Sequence, residues 1–219
     1  FADCDLAKAA TSAPMAVFDN TGQDCCARSR ILVEAPVAEA FIEQFLTTTR
    51  QIKVGDPKKE ETELGPLAHR KQFEIVERYV AAARKAGRTF LCGGEPLATS
   101  GCFFAPTLIA GCDTTDPWWR EEIFGPVACL RNFSGDAQAI REANDSSYGL
   151  SGSIWTSNLA RSLRLAREID SGVLSINTNS SLHLEAPFGG FKQSGLGREL
   201  GTSAFEAFTE LKNIYIGES

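Results

Sequence analysis

The 219-residue chain has only two histidines, His69 and His183, no Cys-x-x-Cys pair, no Gly-x-Ser-x-Gly elbow and no block of basic residues. Each absence removes a class of chemistry. Two histidines are too few for a histidine-based metal site, and cysteines without paired spacing argue against a zinc knuckle, so no metal is expected. Without the elbow motif there is no serine nucleophile on a strand-to-helix turn. Lys and Arg are scattered and the formal net charge is -6; binding nucleic-acid phosphates needs a concentrated basic surface, so no nucleic-acid partner is expected. No apolar run approaches the roughly 20 residues that span a bilayer, and the opening FADCDLAKAA is not a signal peptide. A soluble protein of the cytoplasm, with no membrane partner, is the expectation.

Seven cysteines are present: Cys4, Cys25, Cys26, Cys92, Cys102, Cys112 and Cys129. An odd number without repeated spacing fits free thiols in a reducing compartment better than a disulfide framework. A hydrophobic content of 43% is enough to bury a sizeable core in one large or two small domains. There is no internal repeat, low-complexity tract or long linker. The chain opens on FADCDL with neither a methionine nor an N-terminal arm, which suggests a piece of something longer.

The hydrophobic periodicity alternates between two kinds of element. RILVE (30–34) is β-rich, and PVAEAFIEQFL follows with Val37, Phe41 and Phe45 on one helical face, Pro36 suiting its start. RKQFEIVERYVAAARKAG repeats the pattern through Phe73, Val76 and Val80, with Gly87 as a C-cap. TFLC, PVACLRNF (126–133), LSGSIW (150–155) and GVLSIN (172–177) are predicted strands. DAQAIREAN and NLARSLRLAREI are predicted helices. Strands alternating with helices imply parallel crossovers, hence an α/β fold with an open, mostly parallel sheet and helices on both faces. From Pro187 the glycine-dense PFGGFKQSGLGRELG leads into an amphipathic stretch and a final run, NIYI. That closing strand has no hairpin mate beside it and is expected to pair with a distant segment or another chain. The organisation expected is a domain over 1–193, followed by a C-terminal helix and oligomerisation strand over 194–219.

NTGQDCCARSR (20–30) places Cys25 and Cys26 just before a predicted strand, where a loop residue can face a cleft. A thiolate there is a strong nucleophile. The same residues also suit small buried apolar positions, and a cysteine–histidine hydrolase remains open. GLGRELG (195–201) has the spacing Gly-x-Gly-x-x-x-Gly with no strand running into it, so a glycine loop capping a helix describes it better than a dinucleotide fingerprint. In WWREEIFGPV (118–127), Glu121 and Glu122 read locally as solvated carboxylates. From the residues alone, the chain is an α/β domain with a candidate thiol.

GQDCCARSR, ELGPLA, FFAPTLI, EEIFGPV, ANDSSYGLSGSIWTSN, GVLSIN and PFGGFKQSGLGRELG occur in the order and approximate spacing of the aldehyde dehydrogenase superfamily. Over essentially its whole length the chain resembles the catalytic, C-terminal half of a non-acylating, NAD- or NADP-dependent member. The resemblance makes Cys25, the second residue after Gly-Gln, the nucleophile and Cys26 its neighbour. Asp24 stands just before it; an adjacent carboxylate disfavours a thiolate, so its side chain is expected to point away from the cleft. Glu122 matches a glutamate that binds the nicotinamide ribose, Phe124 an aromatic beside the nicotinamide, and Gln72 a position near the same ribose. Ile75 stands where some relatives place a lysine. Phe188 matches an aromatic of the substrate channel, Ser180, Leu182 and His183 fall in the loop shaping the aldehyde pocket, and Asn177 matches a structural asparagine.

The chemistry implied is covalent. Cys25 attacks the aldehyde, the thiohemiacetal oxyanion is held by the Cys25 backbone N–H and a side-chain amide, hydride passes to the nicotinamide, and a glutamate-activated water releases the acid from the thioester. The resemblance places that general base, the oxyanion amide and the nucleotide fold before Phe1, so the chain alone is expected not to turn over. Two other classes stay open: a non-catalytic truncated paralogue assembling through its terminal strand, and a cysteine thiol hydrolase.

Overall fold

The computed structural model describes residues 1–98 and 101–218. A four-stranded sheet is at its centre, in the order β1 (Arg30–Glu34), β4 (Val127–Phe133), β3 (Thr107–Ala110) and β2 (Thr89–Cys92). β1 and β3 flank β4 in parallel, Cys129 facing Arg30 on one side and Ile109 on the other. β2 closes the edge antiparallel to β3, with a register break between Phe90 and Cys92.

Val127, Ala128, Cys129 and Leu130 are all buried, as the continuous apolar run of a strand covered on both faces should be. Alternation along the strand divides them between two cores. Val127 and Cys129, with Ile109, meet Phe73, Val76 and Val80 of α3 (Arg70–Lys85) and the two tryptophans of α4 (Pro117–Arg120). Ala128 and Leu130, with Leu108, meet Ala10, Val17 and Phe18 of α1 (Leu6–Phe18) and Phe41 and Phe45 of α2 (Ala38–Thr49). Helices therefore cover both faces, as the periodicity implied.

α2 begins after a short 3-10 turn that contains Pro36. α3 is capped at its start by His69, whose Nδ1 accepts the Gln72 N–H at 3.1 Å. It ends with Gly87 in the left-handed region, the Arg88 N–H returning to the Ala83 carbonyl at 3.1 Å.

Several features differ from the sequence reading, the unforeseen β3 and α4 among them. α1 was not foreseen; it runs through Pro14, and Ala10, Pro14, Val17 and Phe18 recur along its buried side. The strands do not share one sheet: β6 (Ser151–Ile154) and β7 (Val173–Ile176) form a separate parallel pair, and β5 (Tyr148–Gly149) pairs antiparallel with β8 (Phe191–Lys192). α5 (Asp136–Asn144) and α6 (Leu159–Glu168) pack together, with α6 against β6. The expected amphipathic stretch near the end contracts to the four-residue α7 (Ala204–Ala207), and Asn213–Ile216 forms no ladder. A strand needs a partner for its backbone groups, and this segment lies exposed without one among the described residues. Ser219 of the closing run lies outside the described residues. No helix among them is long and apolar enough to cross a membrane.

Candidate active site

The segment carrying Cys25 leaves α1 through three left-handed residues, Asn20, Thr21 and Gly22, with φ of 51°, 60° and 69°. Glycine is required at the third. A Cβ on Gly22 would lie 2.1 Å from the Gly125 carbonyl oxygen, so the two backbones are in direct contact. Thr21 Oγ1 donates to the Gly65 carbonyl at 3.1 Å, and the Ala68 N–H donates to Gln23 Oε1 at 2.9 Å. These bonds fix the chain before it turns.

The turn spans Asp24 to Ala27, with the Ala27 N–H donating to the Asp24 carbonyl at 3.0 Å and the Cys26 N–H to Asp24 Oδ1 at 2.9 Å. That second bond corrects the expectation for Asp24: its carboxylate is held over its own turn, within 4.8 Å of both cysteine sulfurs. Cys25 is the exposed cysteine at this turn, while Cys26 is partly buried. Burial, then the charges of Cys25 and Asp24, push the Cys26 thiol up to about 11. Burial likewise raises Cys4 and Cys92. Cys129 rises through its hydrogen bond to Cys112 and its complete burial.

Arg28 ties this turn to distant chain. Its guanidinium donates to the Cys26 carbonyl, to Ser153 Oγ at 2.8 Å on β6, to Ser181 Oγ at 2.6 Å and to the Asn179 carbonyl at 3.4 Å. Burial lowers its pKa, and no carboxylate pairs with it among the described residues. Sequence reading missed Arg28, Ser181 and Asn179. Arg28 lay inside the quoted GQDCCARSR run, but three of its four partners are over 120 positions away.

Glu121–Pro126 forms the opposite wall. Ile123 is buried, and Phe124 adopts φ 56°, left-handed for an aromatic residue. Gln72 holds it there, its Nε2 donating to the Ile123 and Phe124 carbonyls at 2.8 Å each. Gly125 lies against Val76, where a Cβ would come within 2.4 Å of a methyl carbon. Glu121 is exposed as expected, yet accepts a hydrogen bond from Tyr79. Burial first, then that bond, push Tyr79 up to about 12.

A cavity of about 560 Å³ joins the two walls, with Cys25, Asp24, Glu122 and Phe124 in its lining. Gln72 backs this wall from behind. The other candidate residues lie elsewhere: Ser180, Leu182 and His183 sit on an exposed loop, and Phe188 bridges to Glu199 through two backbone bonds of 2.7 Å. None of the four lines the cavity, and neither does His69. Asn177 clamps Thr156, accepting its N–H at 3.0 Å and donating to its carbonyl at 2.9 Å, which is a structural role.

Glu122 and Phe124, the latter 38% exposed, line the same cavity as Cys25. A carboxylate suits ribose hydroxyls and an aromatic surface suits a flat heterocycle, so this wall fits the nicotinamide-ribose end of a dinucleotide.

The model for the aldehyde dehydrogenase family matches residues 1–214. The 4-trimethylaminobutyraldehyde dehydrogenase of Rattus norvegicus is 36% identical over 222 residues, covering 99% of this chain and 45% of that protein. The crystal structure of an NAD-dependent aldehyde dehydrogenase from Sinorhizobium meliloti superposes with a TM-score of 0.96 at 38% identity, covering 99% of this chain and 43% of that one. An NAD+ complex of an aldehyde dehydrogenase from Bacillus cereus does so at 0.96 and 36% identity, covering 100% and 45%. The chain thus spans less than half the length of these relatives, and it belongs to the aldehyde dehydrogenase family.

Proposed function

We propose that this chain is the nucleophile-bearing part of an NAD- or NADP-dependent aldehyde dehydrogenase that converts an aldehyde to a carboxylic acid, with Cys25 as nucleophile. The observation that carries this is the exposed thiol of Cys25 at a turn whose stem, at Gly22, touches the backbone beside Glu122 and Phe124.

In this reading Cys25 Sγ adds to the aldehyde carbonyl and forms a carbon–sulfur bond. The Cys26 N–H is already bonded to Asp24, which leaves the Cys25 N–H as the turn's donor to the oxyanion. Glu122 and Phe124 hold the nicotinamide end of the cofactor, and Gln72 positions both by fixing the carbonyls that follow Glu122. When bound, the cofactor supplies the hydride acceptor. Ser180, Leu182, His183 and Phe188 do not line the cavity, and their assignment to the aldehyde's approach rests on the family resemblance alone. Seven thiols without a disulfide fit a reducing compartment, and we assign the cytoplasm. Asn213–Ile216 joins copies of the chain into a homo-oligomer.

The 219-residue chain alone is inactive on this reading. Lacking a general base lowers a rate by about 10²–10⁴-fold and lacking one oxyanion donor by about 10²–10³-fold. Iodoacetamide labelling with peptide mapping tests the nucleophile: Cys25 should be modified first, and preferential modification of Cys26 or Cys92 overturns the assignment. Steady-state NAD(P)H production by the purified chain, abolished by Cys25→Ala, would overturn the inactivity.

A further inference from the structure

We propose that Asp24, Cys25 and Cys26 form a binding site for a thiophilic divalent cation of the zinc class, and that occupancy reversibly closes the nucleophile. Their ligand atoms, two sulfurs and a carboxylate oxygen, all lie within 4.8 Å of one another. A tetrahedral ion with bonds of about 2.3 Å to sulfur and about 2.1 Å to oxygen spaces its ligands about 3.6–3.8 Å apart. The three atoms therefore close by about 1.2 Å at most, a movement within reach of side-chain rotation at exposed Cys25 and Asp24. The Cys26 N–H already fixes Asp24 Oδ1 at 2.9 Å, which keeps the carboxylate over the turn.

Charge favours the same conclusion. A divalent ion bound to two thiolates and one carboxylate leaves a net charge of about -1 by the formal charges of those groups. Arg28 bonds the Cys26 carbonyl and has no carboxylate partner among the described residues, so it supplies the matching positive charge. Two thiolates make the site soft, which selects zinc over magnesium or calcium. Cys25 is exposed and lines the cavity, so water can supply the fourth ligand. On binding, each thiol proton passes to solvent as a sulfur–metal bond forms, and nothing is oxidised or reduced. Separate thiol-spacing motifs are absent from the sequence; adjacency within one tight turn replaces them.

The functional consequence rests on Cys25 being the nucleophile, whereas the binding itself does not. The test adds Zn2+ to the full chain and measures protection of Cys25 from iodoacetamide, with Cd2+ as a second probe that reports thiolate ligation by its charge-transfer absorption. About one equivalent of Zn2+ should protect Cys25. Cys26→Ser should raise the half-protecting concentration by about 10–100-fold, since even groups that only orient metal ligands are worth that much. Asp24→Asn keeps the acceptor for the Cys26 N–H while removing the charge, and should raise it by about tenfold. The Cd2+ absorption should fall in Cys25→Ser and in Cys26→Ser and vanish in the double variant. Protection curves that superimpose in all variants, or Cd2+ absorption unchanged in the double variant, overturn the site. If Cys25 resists iodoacetamide without metal but the Cd2+ series behaves as stated, the site stands and the proposed function falls.

Discussion

Gly22→Ala is the sharpest probe of how the thiol is placed, because the Cβ it adds has nowhere to go. It would sit 2.1 Å from the Gly125 carbonyl oxygen and 2.4 Å from its carbon, both backbone atoms. The backbone at Gly22 also has φ 69°, which costs a non-glycine residue about 1–2 kcal/mol. Forcing a carbon into occupied space adds about 1–3 kcal/mol. The sum, about 2–5 kcal/mol, is a large fraction of the ~5–15 kcal/mol that holds a typical domain together. Gly87→Ala supplies the control. Its φ is 73°, nearly the same, but nothing lies within 4 Å of an added Cβ. The two variants share the conformational cost and differ only in the contact, so thermal unfolding should separate them by about 2–12 °C at ~2–4 °C per kcal/mol for this size of chain. Relief of the contact moves the stem of the Cys25 turn away from Phe124, so Gly22→Ala should also change the rate of Cys25 alkylation while Gly87→Ala leaves it alone. If the two substitutions melt together, the close approach of Gly22 to Gly125 does not hold the turn.

Gln72→Leu should cost about 1–3 kcal/mol by leaving the Ile123 and Phe124 carbonyls without their donor, read as lower denaturant resistance together with faster hydrogen exchange at 122–125. Glu142 has a pH signature: burial raises its carboxyl, but hydrogen bonds from Arg131 and Gln138 outweigh this and hold it below 4.5. Its folded-state value lies below its unfolded one, so the stabilisation is present above about pH 4.5 and is lost as pH falls through the folded value. Glu142→Gln should therefore flatten the stability curve on the acid side, and an unchanged acid limb would refute the role of that pair. Removing residues 213–219 should reduce the assembly to monomers by light scattering while leaving the melting temperature of the monomer unchanged, since the segment touches little of its own chain; a chain that is already monomeric before the deletion refutes the proposed use of the tail.

Periodicity located most of the elements because their burial follows it. Phe73, Val76 and Val80 face one core and Phe41 and Phe45 the other, as their spacing required. α1 escaped because LAKAATSAPMAVF is rich in alanine, which packs without announcing a face, and because Pro14 lacks the N–H an interior turn uses. β3 is four residues long and follows a proline, too short a run for alternation to register. The division into three sheets depends on which strand edges meet, and no local pattern encodes that. At the site, family likeness named Cys25, Glu122 and Phe124, and the three line one cavity. The cross-chain work of Arg28 was invisible, because it reaches Ser153 and Ser181, far along the chain.

Backbone strain marks the same region independently of any motif. Among the described residues, six non-glycine residues have left-handed φ: Asn20 and Thr21 lead into the Cys25 turn, Phe124 lines the thiol cavity, and Asn177 follows β7 beside the loop that Arg28 grips, with Lys192 and Leu200 further along the chain. Such conformations cost about 1–3 kcal/mol each and persist only where their surroundings over-determine them. Each of the first four has its own clamp: Asn20 donates from Nδ2 to the Gln23 carbonyl at 2.8 Å, Thr21 donates to Gly65, Gln72 holds Phe124, and Asn177 locks onto Thr156. Threonine and phenylalanine are poor residues for this geometry, so local propensity opposes it and the clamps must supply it. Releasing a clamp should free the strained residue without unfolding the sheet behind it, because the bonds that hold each clamp are local to the walls. The Cys25 turn and the Glu121–Pro126 wall are therefore set against each other by strain held at both sides, with the Gly22–Gly125 contact as the point where the two sides touch.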